Sequence, residues 1–198
     1  MKMDIRVIKT KAAIKASFKE LLKREPIEKI TVSEICNNAD INRVTFYTHY
    51  QDKYDLLIDY LNNITEEIYD KATASISGIN EKEQLICFFC NLFNCTIDYC
   101  VDHAEIFKFF PRQSNTSLLT LIDKTATKNI LSLFKKIFKD TNMKYSYDFI
   151  VYFIIGGCNK LLFEYFEKDN EKSVTELKYN ANKLITELIN SNILFDKN

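Results

Sequence analysis

Tryptophan is absent from the 198 residues, and glycine and proline number only three and two. All-β folds place those two residues at their many turns, so the shortage points to an all-α protein. Histidine is almost as rare, at His49 and His103, far apart in sequence. There is no Gly-rich phosphate loop and no His/Glu metal motif. No catalytic constellation, metal set or cofactor is therefore expected. The chain holds 27 basic and 27 acidic side chains, a net charge of zero that by itself suggests no polyanionic partner. A hydrophobic share of 46% excludes a disordered chain, and the length suits one domain or a small module fused to a larger one. The most apolar run, residues 149–155 with the uncharged residues 156–159 behind it, falls short of the ~20 residues that span a bilayer. The amino terminus, MKMDIRVIKTK, is charged and leads into no apolar stretch of the signal-peptide kind. A cytoplasmic protein with six reduced thiols and no membrane partner is the expectation.

The neutral total conceals an asymmetry. Residues 1–53 carry 11 Lys and Arg against 7 Asp and Glu, and residues 54–198 carry 16 against 20. A basic head joined to an acidic body suggests that one end meets a polyanion. The expected division is a polyanion-binding unit over 1–53 and a helical body over 54–198.

Capping signals divide the chain into about nine helices. Ile14, Phe18, Leu21 and Leu22 recur at helical spacing, with Lys11, Lys15, Lys19 and Lys23 on another face and Pro26 beyond the end. Thr31-Val-Ser-Glu34 is a capping box that opens a short helix closed by Asn38-Ala-Asp40. Asn42 and Asp52 can cap the next two helices, the second running toward Ser77 with Gly78 as its stop. Asn80 with Glu83 opens a helix through about Asp102, followed by a short segment over 104–110 ending at Pro111. Further helices are expected over about 115–139 and 145–168. Ser173-Val-Thr-Glu176 begins the last one.

Residues 31–53, TVSEICNNADINRVTFYTHYQDK, read as helix, tight turn, helix. A short helix ahead of a sharp turn can brace a second helix in the DNA major groove. Arg43 near the start of that second helix can reach base edges, and guanine is its best bidentate partner. Thr45, Tyr47, Thr48 and His49 add donors, and Lys53 lies in the first turn of the following helix, where exposed N–H groups favour an anion. The segment INRVTFYTHYQDK followed by YDLL, with ITVSEIC before it, resembles the recognition region of TetR-family transcriptional regulators over roughly residues 10–57. The resemblance implies an all-α homodimer with a three-helix DNA-binding head and a ligand-responsive helical body. By position, Arg43 and Val44 fall where the family reads bases. Thr31, Thr45, Tyr47, His49 and Lys53 fall at phosphate-gripping places, and Ser33 at a base or phosphate. Cys36, Asp40 and Val44 stand where the family usually has Ala, Gly and Gly. Val44 can meet a thymine methyl.

The body is less legible. Phe88, Phe89, Phe93, Phe107 and Phe110 make one region strongly aromatic, and family analogy suggests an apolar or aromatic effector pocket there. Ile155, Gly156, Leu162, Leu177, Leu184 and Leu188 on the last two helices are the candidate dimer interface. Cys87, Cys90, Cys95 and Cys100 with His103 invite a thiol- or metal-sensing reading, although their spacing forms no compact tetrahedral set. The implied function is a repressor, released from a palindromic double-stranded operator by a small effector. A thiol- or metal-sensing regulator and, more remotely, a helical enzyme are the rival readings.

Overall fold

The computed structural model describes residues 5–74, 76, 78–107, 116–167, 173–191 and 193–195. Among these, the chain forms nine helices and no strand. They are α1 (Ile5–Leu22), α2 (Val32–Asn38), α3 (Arg43–Tyr47), α4 (Lys53–Thr73), α5 (Glu81–Asp102), α6 (Ala104–Phe107), α7 (Thr116–Ile137), α8 (Tyr147–Glu167) and α9 (Val174–Asn190). One isolated antiparallel bridge joins Met143 to Phe195.

The caps fall where the sequence signals them. Thr31 and Glu34 form the reciprocal box at α2, and Asn42, Asp52, Asn80 and Ser173 each accept from a first-turn N–H of their helix. Each such cap contributes about 1 kcal/mol. The α2–α3 turn is a Schellman closure: Ile41 N–H donates to the Cys36 carbonyl and Asp40 N–H to that of Asn37. Asp40 occupies the left-handed position at φ +53°, which a short polar side chain tolerates better than most. Gly78 does not stop α4 directly. That helix ends at Thr73, and Gly78 lies in the following turn at φ +86°.

Two apolar cores result. The head core gathers Ile14, Phe18, Ile30, Ile35, Phe46 and Tyr50, together with Leu56, Leu57 and Tyr60 from the start of α4. It also takes in Ile106 of α6, which is 3% exposed. Ser17, the one buried polar residue of the described head, donates to the Ile35 carbonyl at 2.8 Å and ties α1 to α2. The body core centres on α5, which packs between α4 and α9, while α7 lies against α4 and α8. Amide pairs pin the helices in register: Asn129 donates to Asn62, and Asn182 to Asn94.

α5 and residues Tyr147–Phe166 of α8 are each long and apolar enough to cross a bilayer, which the short run over 149–155 did not indicate. Both are built into the bundle. α5 buries Leu85, Phe88, Phe89, Leu92, Phe93 and Ile97, and α8 sends Ile150, Val151, Ile154 and Ile155 inward.

Candidate nucleic-acid interface

α3 is anchored by one side chain. Phe46 is fully buried, its ring 5.7 Å from that of Tyr50. The helix is only five residues long, so this anchor leaves most of it uncovered. Arg43, Val44, Tyr47 and Thr48 are exposed, and positions i, i+1, i+4 and i+5 share one helical face. Arg43 Nη2 donates to Tyr47 Oη at 3.4 Å, with the guanidinium 5.9 Å from the Tyr47 ring. This weak contact holds the two side chains together at the surface without consuming the other guanidinium donors.

Three threonine hydroxyls nearby are occupied. Thr45 Oγ1 donates to the Asn42 cap at 3.0 Å and Thr48 Oγ1 to the Thr45 carbonyl at 2.7 Å. Thr31 Oγ1 donates to Glu34 at 2.6 Å. Thr31's hydroxyl and backbone N–H together hold the Glu34 carboxyl below the usual range. Ser33, Thr45 and His49 are half-buried. The Thr31, Thr45 and Thr48 hydroxyls keep acceptor capacity, but the single proton of each is already placed.

Lys53 has a task the sequence did not disclose. Its ammonium donates to the carbonyls of Ile27, Glu28 and Ile30 at 2.8, 2.9 and 2.8 Å. All three donors are used, and the linker between α1 and α2 is clamped to the start of α4. In this conformation no Lys53 N–H is left for a phosphate.

The α1 lysines also turn inward in part. Asp59 on α4 accepts from Tyr50 Oη at 2.6 Å and lies 3.2 Å from Lys15 and 3.7 Å from Lys11. Burial alone raises the Asp59 carboxyl, but Tyr50 and the two lysines outweigh it and hold the group below its ordinary range. The Tyr50 hydroxyl is pushed up by burial and by the Asp59 carboxylate. Lys11 and Lys15 thus join α1 to α4 as well as adding to the head's positive charge. The sequence signal was the Lys11/Lys15 pair one turn apart; its acid, 44 residues on from Lys15, carried no local mark.

In the body, Phe88 and Phe89 pack ring against ring with Phe134, and Phe88 also meets Phe138. Phe93 is buried in the same core. These three are close-packed interior. The Phe107 side chain and Phe110 lie outside the described residues. The dimer candidates divide. Ile155, Leu162 and Leu177 are buried within their own chain and are corrected to core. α8 is apolar nearly all round, so its sequence could not say which side faces inward. Gly156 and Leu184 are exposed and Leu188 half-buried. Around them, Phe149, Tyr152, Phe153 and Leu161 of α8 are exposed too. An apolar groove of about 390 Å³ runs between α8 and α9, walled by Phe153, Gly157, Leu161, Leu184 and Leu188.

The cysteines do not converge on a ligand site. Among the described residues no group of three or more His, Cys, Asp or Glu side chains is placed to hold a metal ion. Burial raises the Cys90 and Cys95 thiols and pushes Cys100 to about 12.

The comparisons with known proteins bear on this head. The family of bacterial regulatory proteins described as the tetR family matches residues 16–60, from mid-α1 to the second turn of α4. Residues 16–60 thus carry the sequence pattern of the tetR family's DNA-binding head. An HTH-type transcriptional regulator of Bacillus subtilis, YxbF, is 34% identical over 76 residues, 38% of this chain. The match spans about a fifth of that protein's length, 20%. Two solved structures extend the likeness to the body. The fatty acid degradation regulator FadR of Bacillus halodurans is 18% identical, with a TM-score of 0.63, over 94% of this chain and 97% of its own. FadR of Bacillus subtilis, solved with stearoyl-CoA, is 18% identical, with a TM-score of 0.62, over 88% of this chain and 97% of its own. At that identity the likeness establishes the architecture of the chain alone.

Proposed function

We propose that this chain is a dimeric TetR-type transcriptional repressor, cytoplasmic because its partner is DNA, that leaves its operator when a small molecule enters the body. The observation that carries the reading is the exposed Arg43–Val44–Tyr47–Thr48 face on a helix otherwise held by a single buried ring. Residues 1–53 act as the DNA-binding domain and 54–198 as the effector-binding and dimerisation domain, with α4 lending Leu56, Leu57 and Tyr60 to the head core. Arg43 and Val44 face bases. Thr31, Ser33, Thr45, Tyr47, Thr48 and His49 line the phosphate approach, and Lys53 sets the linker geometry beside them.

Two heads related by a dyad meet successive major grooves, roughly 34 Å apart. The surface that pairs them is the uncovered side of α8 and α9. Phe153 and Leu184 are each 66% exposed there. At Gly156 and Gly157 an added Cβ would meet nothing within the chain. Neither glycine serves its own fold, and each costs an exposed helix about 1 kcal/mol relative to alanine. Close approach of a partner helix accounts for that cost. Gly156→Ala with Gly157→Ala should raise monomer stability while weakening the dimer in sedimentation equilibrium. A dimer of unchanged affinity refutes this face.

The effector is proposed to be apolar or aromatic and to part the Phe88–Phe89–Phe134 packing when it binds. The stearoyl-CoA held by the Bacillus subtilis FadR makes a long acyl thioester a sensible first probe. No observation favours an enzyme. The decisive experiment selects binding sites from random duplexes with the full chain, then repeats the binding with Arg43→Ala. Enrichment of a palindrome, with relaxed base preference in the variant, is expected. No enrichment overturns the DNA-binding reading.

A further inference from the structure

We propose that Val44 reads a thymine methyl, so that the operator half-site carries a T whose C5-methyl is recognised by shape. The inference deepens the DNA-binding reading above and rests on it. Val44 is 74% exposed, more than any other large apolar side chain among the described residues. It is the second residue of α3 and contributes nothing to the head core, whose anchor from this helix is Phe46. A branched apolar side chain gains nothing from water, and at the first turn of a helix that enters the major groove it faces base edges. The apolar feature on those edges is the thymine methyl.

The neighbouring polar groups narrow the alternatives. The Thr45 and Thr48 hydroxyl protons are placed on Asn42 and on the Thr45 carbonyl, so neither is available to donate to a base acceptor. Arg43 keeps donors beyond the one directed at Tyr47. The exposed start of α3 thus offers one guanidinium fork and one isopropyl group. Read together, they ask for a guanine and a methyl-bearing base close to each other in each half-site.

The test uses the full chain and its selected operator. Each thymine of the half-sites is replaced in turn by deoxyuridine, which pairs identically and lacks only the methyl. Loss of the methyl read by Val44 should weaken binding about 4-fold in one half-site and about 15-fold in both, from the transfer value of one buried methyl group. Val44→Ala should bind the thymine and deoxyuridine operators equally, and Val44→Ile should restore the difference. Circular dichroism melting confirms that both variants keep the head folded. The inference is overturned if no deoxyuridine weakens wild-type binding, if no thymine occurs in the selected half-sites, or if Val44→Ala keeps the full methyl dependence. Failure to select any site overturns the DNA-binding reading itself and this inference with it.

Discussion

Replacing Lys53 with methionine keeps a long apolar stem and removes the three N–H donors. The carbonyls of Ile27 and Ile30 meet the ammonium in part-buried surroundings, whereas that of Glu28 is exposed and can bond to water instead. Leaving a buried acceptor unpaired costs about 1–3 kcal/mol, so two such losses dominate. Against them, a cation in the first turn of α4 sits at the positive end of the helix dipole, and its removal returns about 0.3–1 kcal/mol. The net expectation is a head destabilised by about 2–4 kcal/mol, a large share of the 5–15 kcal/mol typical of a domain. Hydrogen exchange should quicken at amides of α1, α2 and the linker over 23–30, with the α5 and α9 amides unchanged. The urea midpoint of the head should fall. Affinity for DNA should then weaken for every sequence alike, while the slope of log affinity against log salt stays constant. A direct phosphate grip makes the opposite forecast: the slope falls by about 1 and stability is unaffected. An unchanged urea midpoint with a shallower salt slope would refute the clamp.

Asp59 makes acid stability specific. Its carboxyl is lowered in the folded head, so its contribution is complete above the ordinary carboxylate pKa and is lost as pH falls through the lowered value. Head stability should therefore drop on acidification below the usual carboxylate range, and Asp59→Asn should be less stable at neutral pH with a flatter acid limb in pH-resolved melting. The thiols separate an effector-responsive repressor from a thiol sensor. Burial pushes Cys100 and Cys158 to about 12, so neither is a thiolate near neutrality. Iodoacetamide at pH 8 should leave both unmodified in the native chain by peptide mass spectrometry; rapid labelling of either, coupled to loss of operator binding, would support a thiol sensor.

The head was legible because its signals are local. Capping residues lie three positions from the N–H groups they bind, and the α2–α3 turn needs a residue such as Asp40 that accepts a left-handed backbone. What escaped was built from distant residues. Lys53 is 23 to 26 positions from the carbonyls it holds, and Asp59 reaches back to α1. No periodicity records such partners. In the body the difficulty is different. α8 is apolar on both sides, so spacing gave its helical state but not its orientation, and Ile155 and Leu162 were assigned outward when they point inward. The aromatic cluster around Phe88 is equally consistent, as a sequence, with a packed core and with a pocket wall.

Coupling between the body and the head follows from where the two cores meet. Among the described residues of the head core, Ile106 is the one contributed from beyond α4, and it sits on a four-residue helix directly behind α5. Tyr60 on α4 belongs to the same core and packs edge-on against Phe18 of α1 at 6.1 Å. Ile64, one turn further along α4, packs against both cores. The body therefore touches the head through apolar contacts that are close-packed, and close packing admits few intermediate arrangements. In the proposed reading, a ligand that separates the Phe88 and Phe134 rings would shift α5 against α7 and α8, and α6, which follows α5 directly, would move Ile106 with it. Its effect on DNA affinity is limited to its differential affinity for the two packings. By reciprocity, operator DNA must weaken the ligand by the same factor. Ile106→Ala should loosen that link: ligand and operator would each still bind, but ligand titrations with and without DNA would converge on one affinity.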